Sequence, residues 1–238
     1  MKKLLFTVMV CALILVFVPV TSAETGIEPG MSAVLNSSPN SGAYYYVGYD
    51  IPEGSYIFTC IDNEETEWAD GCSVTLTTYD QLQYSADLGK SLNFPDRGEG
   101  FGSVQAFLRA GTLLRVQYGP VKITAAAPVF AEKTHPEPGS SAILDGYAYY
   151  GIGYDIPEGD YYLSCVPEEN SEWYDGCEIS ISAYDYFLYD ENSLMLFLGS
   201  YGEEDPIVPQ RIFLKSGTVL ENMGSTLEIT AAEPVIFE

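Results

Sequence analysis

The chain has 238 residues, 34 acidic against ten basic, for a formal charge of −24. That balance excludes nucleic acid, whose phosphates need Lys and Arg partners, and excludes an anionic membrane surface. High charge leads to disorder only when hydrophobicity is low. Here 47% of residues are hydrophobic and 13% aromatic, so a packed core is expected.

Residues 1–23 read as a secretory signal peptide. Lys2 and Lys3 precede an apolar run from Leu4 to Val20, and Thr21-Ser22-Ala23 supply small residues before a cut. The run is shorter than the ~20 residues of a typical spanning helix, and Pro19 sits near its end. Cys11 follows Val10 rather than a small residue at the cut, which does not suit lipidation. Cleavage removes two bases and no acids. Eight bases then face 34 acids, a charge of −26. A secreted, extracellular protein is expected.

From Glu24 onward the chain is one unit written twice. "EPGMSAVL" at Glu28 returns as "EPGSSAIL" at Glu137, "YDIPEGSYIFTC" at Tyr49 as "YDIPEGDYYLSC" at Tyr154, and "FLRAGTLL" at Phe107 as "FLKSGTVL" at Phe213. The offset is 109 at first, 105 through the middle and 106 at the end, so the first copy carries extra loop residues near Asn36 to Asn40. A unit of this length is a domain, since solenoid repeats run ~20–50 residues. The expected boundaries are 24–132 for the first copy, 133–136 for a linker with a proline, and 137–238 for the second.

Within each copy the hydrophobic period is two. Strands are expected over 43–50, through "SYIFTC" with Tyr56, Phe58 and Cys60 on one face, and from Cys72 with Val74 and Leu76 inward. Further strands are expected over 103–109, 112–118 and 120–126, with counterparts in the second copy. No stretch shows helical periodicity with caps. Short strands separated by turn signals define an all-β protein of two tandem β-sandwich, jelly-roll-like domains. In the repeated string, Pro52-Glu53-Gly54 has turn chemistry and Asp50 is placed to bond turn amides.

Four cysteines follow the signal: Cys60, Cys72, Cys165 and Cys177. They allow three connectivities, and the repeated spacing of twelve selects 60–72 and 165–177, one disulfide inside each copy. A zinc site would want closer cysteines and histidine partners, and the single histidine, His135, lies in the linker.

"VGYDIPEGSY" (Val47 to Tyr56) and "IGYDIPEGDY" (Ile152 to Tyr161) resemble a repeat of secreted proteins and lipoproteins of Gram-positive bacteria. Its motif reads roughly Val-Gly-x-Asp-Ile-Pro-Ala-Gly-x-Tyr, followed later by a Gly-led segment similar to "FLRAGTLL". The resemblance implies a small all-β extracellular module of a bacterium with no assigned activity, and it carries over no catalytic residue. This chain departs from it at Glu53 and Glu158, where Ala is common, and in the disulfide loop.

The loops 61–71 and 166–176 gather the candidate site residues. Asp62, Glu64, Glu65 and Glu67 in one, and Glu168, Glu169 and Glu172 in the other, offer oxygens to calcium, although no EF-hand spacing is present. Trp68 with Asp70, and Trp173 with Asp175, could hold a sugar; alternatively each Trp covers its disulfide. The numerous tyrosines suit a binding surface and suit strands equally. No Ser-His-Asp set, nucleophile elbow, phosphate loop or zinc motif appears, so an enzyme is not expected and no cofactor beyond possible calcium. The expected function is that of a secreted, non-catalytic binding or structural module whose partner is an unknown extracellular protein or glycan. The alternative is a calcium-dependent or carbohydrate-binding module using the two Trp-bearing acidic loops.

Overall fold

A computed structural model describes residues 27–37, 42–61, 72–84, 89–94, 102–130, 134–166, 176–189, 193–199 and 208–233. The signal segment and the acidic loops, except the ends of the latter, lie outside this set. The protein is almost all β. The first copy contributes β1 (Ser32–Leu35), β2 (Ala43–Tyr46), β3 (Gly54–Cys60), β4 (Ser73–Thr77), α1 (Tyr79–Tyr84), β5 (Lys90–Ser91), β6 (Ser103–Leu108), β7 (Leu113–Gln117) and β8 (Val121–Ala125). The second contributes β9 (Ser141–Leu144), β10 (Ala148–Gly151), β11 (Gly159–Cys165), β12 (Gly176–Ala183), α2 (Tyr184–Tyr189), β13 (Leu194–Gly199), β14 (Gln210–Leu214), β15 (Thr218–Asn222) and β16 (Leu227–Ala231).

Each copy folds two four-stranded layers onto one core. In the first, β1-β8-β3-β6 faces β2-β7-β4-β5, and Phe58, Val104 and Ile123 of one layer meet Val74, Leu114 and Val116 of the other. In the second, β9-β16-β11-β14 faces β10-β15-β12-β13, with Leu163, Ile179, Leu220 and Ile229 at the centre. Alternation explains the inward sets: Val121, Ile123 and Ala125 are buried along β8 while Lys122 between them is exposed. Both disulfides form inside a copy, Cys60–Cys72 and Cys165–Cys177, with Cα atoms 5.6 and 5.5 Å apart. Their presence places the fold in an oxidising compartment. No helix of the described residues is long and apolar enough to cross a membrane.

Two features differ from the sequence expectation, and a third goes beyond it. The segment 43–50 is a strand only to Tyr46. Gly48 to Asp50 then form a turn, because the Tyr46 carbonyl accepts the N–H of Asp50 and the Asp50 carboxylate accepts the N–H of Tyr46. Two helices of six residues occur, where none is expected. α1 opens on a capping box: the Thr78 hydroxyl accepts the Gln81 N–H, and the Gln81 side-chain oxygen accepts the Thr78 N–H and the Thr77 hydroxyl. Lastly, the copies share a sheet, a relation the sequence leaves open. β6 and β10 pair in parallel through Tyr149 and Ala106, which makes one eight-stranded sheet, β1-β8-β3-β6-β10-β15-β12-β13.

Candidate functional site at the seam between the copies

The repeated motif is structural in both copies. Gly48 and Gly153 take φ of 98° and 91°, a left-handed turn that β-carbons disfavour. Tyr56 donates its hydroxyl proton to the Pro52 carbonyl at 2.7 Å, and Tyr161 does the same to Pro157 at 2.8 Å. Glu53 accepts the Ala110 N–H, and Glu158 the Ser216 N–H, each at 2.8 Å. These two glutamates, the departure from the resembling motif, thus cap the tight turns before β7 and β15.

The seam is where the copies stop being equivalent. "AYYY" in β2 is partly or fully exposed along its length, whereas "AYYG" in β10 is buried on both faces. One face of β10 covers its own core through Tyr150. The other, with Tyr149, Val219, Tyr184, Phe187 and Leu188, belongs to the core of the first copy. Phe107 of β6 lies over Gly151, 5.1 Å from the ring of Tyr154 and 5.9 Å edge-on to Tyr184. A β-carbon at 151 would stand 2.5 Å from the Phe107 ring, so only glycine fits there.

Polar groups cross the seam as well. Ser55 donates to Asp155 at 2.6 Å, and Gln81 donates to the Leu188 carbonyl at 3.1 Å. Lys90 meets Glu221 at 3.0 Å, with both side chains largely buried and the ammonium near the rings of Tyr149 and Phe187. Arg109 pairs with Asp185 and lies over the Tyr184 ring, whose hydroxyl accepts the Arg109 N–H. Asp155 is wholly buried. Burial pushes its carboxyl up to about 6, against the pull of the Ser55 hydroxyl and the Gly151 N–H that both bond it. Burial likewise raises the phenol of Tyr56 to about 12, and that of Tyr154, which also feels Asp155 and Glu53.

Beside this junction runs a groove of 460 Å³. Ile57, Ser103 and Gln105 of the first copy form one wall. The turns 145–148 and 224–226 of the second form the other. Asn222 ties those turns together by donating to the carbonyls of Asp145 and Ser225, and a β-carbon at Gly146 would stand 1.9 Å from the Gly224 carbonyl oxygen. Tyr147 holds its ring at the rim, 46% exposed, from a backbone φ of 53° that non-glycine residues rarely adopt. The groove offers neutral hydrogen-bonding groups, one aromatic face and a single carboxylate, Asp145. Such a set can bind by stacking and hydrogen bonding.

Of the residues singled out by sequence, the four cysteines are brought together in pairs as expected. Trp68, Asp70, Trp173, Asp175, Asp62, Glu64, Glu65, Glu67, Glu168, Glu169 and Glu172 all lie outside the described residues. Among the described residues no three His, Cys, Asp or Glu side chains cluster to hold a metal. The seam is silent in the likeness of the two copies, because its signal lies in their differences, Gly151 against Tyr46 and Ser55 against Asp160. No protein-family model matches the chain, and neither does any curated protein or solved structure.

Proposed function

We propose that this protein is a secreted, non-catalytic binding or structural module of a bacterium, in which two β-sandwich copies act as one rigid body. The observation that carries the reading is the sheet that runs unbroken across the copies, with buried polar bonds at its junction. A sheet shared by two copies fixes their mutual orientation and with it both walls of the groove. The ligand of that groove is an uncharged polar chain, a glycan or an extended peptide segment, stacking on Tyr147. The test is binding to glycan and peptide arrays by the mature protein, alongside Tyr147→Ala and Gln105→Ala. A ligand lost at least tenfold by both variants, with unchanged melting temperatures, supports the groove. Release of reducing sugar ends or cleaved peptides from a bound ligand would contradict a non-catalytic role.

A second reading is favoured by the disulfides, which hold the bases of the acidic loops 61–71 and 166–176. In it, Trp68 and Trp173 bind sugar or the loop carboxylates bind calcium. Array binding lost on Trp68→Ala and Trp173→Ala, but not on Tyr147→Ala, selects the sugar form. A melting temperature raised by millimolar calcium selects the metal form.

A further inference from the structure

The seam joins two copies of one unit by unlike surfaces: the β6 edge of the first takes the β10 edge of the second. A contact of this head-to-tail kind is not self-complementary, and repeated it gives a ring or an open filament. Both halves of it recur at other sheet edges of the protein. β14, the counterpart of β6, ends its sheet among the described residues, and so does β2, the counterpart of β10. Phe213, the counterpart of Phe107, is 56% exposed, and Tyr49, the counterpart of Tyr154, is 88% exposed. A second molecule therefore carries a knob that matches the socket of the first.

Two substitutions and one linker residue fall on three of the points of contact. Where the socket has Gly151 beneath the Phe107 ring, the first copy has Tyr46. Its ring lies 5.7 Å from Tyr79, much as Phe107 lies 5.9 Å from the equivalent Tyr184. Tyr46 thus fills from within the place an incoming Phe213 would need. Where Ser55 donates to Asp155, the second copy has Asp160, which would meet Asp50 of the next molecule. A hydroxyl donor would be replaced by a carboxylate, one that Arg211 already holds at 3.2 Å and that has no proton to offer Asp50. Where the Tyr154 hydroxyl rests against Gly54, the equivalent Gly159 is covered by His135 from the linker. That imidazole stacks 5.1 Å from Tyr161, with Nε2 3.1 Å from the Asp160 carbonyl. An exposed sheet edge invites pairing, and proteins blunt it by placing bulk or charge on it.

We propose that Tyr46 closes the β2 edge and that His135 and Asp160 close the β14 edge, each the end of its own four-stranded sheet, and so stop second copies of this chain from joining through the contact that joins its own modules. The proposal does not depend on the ligand of the groove. The test is sedimentation velocity on the mature protein and on a triple variant, Tyr46→Gly, His135→Ala and Asp160→Ser. The wild type is expected to sediment at one chain's mass. The variant is expected to form a concentration-dependent series of multiples, abolished by adding Phe213→Ala. A folded triple variant that stays at one chain's mass overturns the proposal. So does a series that survives Phe213→Ala, or a wild type that forms the series itself. A reciprocal variant covers the case in which the triple variant does not fold. Ser55→Asp with Gly151→Tyr installs two of the closures at the internal seam. Small-angle scattering should then show the modules parting, and an unchanged scattering profile would count against the closures.

Discussion

Ser55 and Asp155 are a hundred residues apart in the chain and 2.6 Å apart in the fold, the serine hydroxyl donating to a carboxylate that no water reaches. Ser55→Ala removes one of the two donors to that carboxylate and leaves Asp155 with the Gly151 N–H. A buried acceptor that loses a partner costs about 1–3 kcal/mol. Urea denaturation at pH 7 should show a loss of that size, and a loss below a few tenths would mean the bond is immaterial to the seam.

Asp155 also sets a pH dependence. Its carboxyl titrates at about 6 in the fold, against 3.8 for an aspartate free in solution. The folded state holds the proton more tightly, so the favourable contribution is full below pH 3.8 and is lost as pH rises through 6. The span is about 3 kcal/mol at most. The chain's negative charge works in the same direction, and Tyr154, Tyr150 and Glu53 stand nearby. The measurement is therefore the difference between wild type and Asp155→Asn. Stability of the wild type relative to the variant should fall between about pH 4 and pH 7, and parallel profiles would rule this out.

Lys90 and Glu221 form an ion pair with almost no access to water. Lys90→Met leaves a buried carboxylate without its charge partner and should cost about 3–5 kcal/mol, whereas Lys90→Met with Glu221→Leu should recover most of it. A double-mutant cycle by thermal denaturation reads the coupling. A double-variant loss equal to the sum of the two single-variant losses would show that the two side chains act independently.

The first core includes Tyr149, Tyr184, Phe187, Leu188 and Val219 of the second copy, so the two copies should unfold together. Cys60→Ser with Cys72→Ser opens one disulfide and should remove about 3 kcal/mol by the chain-entropy argument. Calorimetry should show one transition before and after. Two separated transitions in the wild type would show that the shared sheet does not couple the copies.

The local architecture is legible in the sequence because each strand carries its own pattern. β6, β7 and β8 lie within a residue of the expected segments, and Tyr56 and Phe58 are buried as their alternation requires. β1 and β9 carry no such signal, since "SAVL" and "SAIL" are too short and too exposed to show a period. The helices are hidden for a related reason: six residues make fewer than two turns, so the buried Tyr184, Phe187 and Leu188 of "YDYFLY" are too few to display a period. The groove depends on Tyr147 and Gln105, neighbours only after two copies join at an edge. An edge contact of one residue pair leaves no run of residues to read.

Chains are made from the N-terminus, and the first copy leads. Its β6 edge at Ser103–Leu108 is complete before β10 at Ala148–Gly151 exists to cover it, and Tyr184 comes later still. For that interval the nascent first copy presents Phe107 and a bare strand edge to whatever surrounds it. Arrival of the second copy is thus an act of self-chaperoning, and a truncation after residue 132 should yield a sticky product even though it ends at the close of a sandwich.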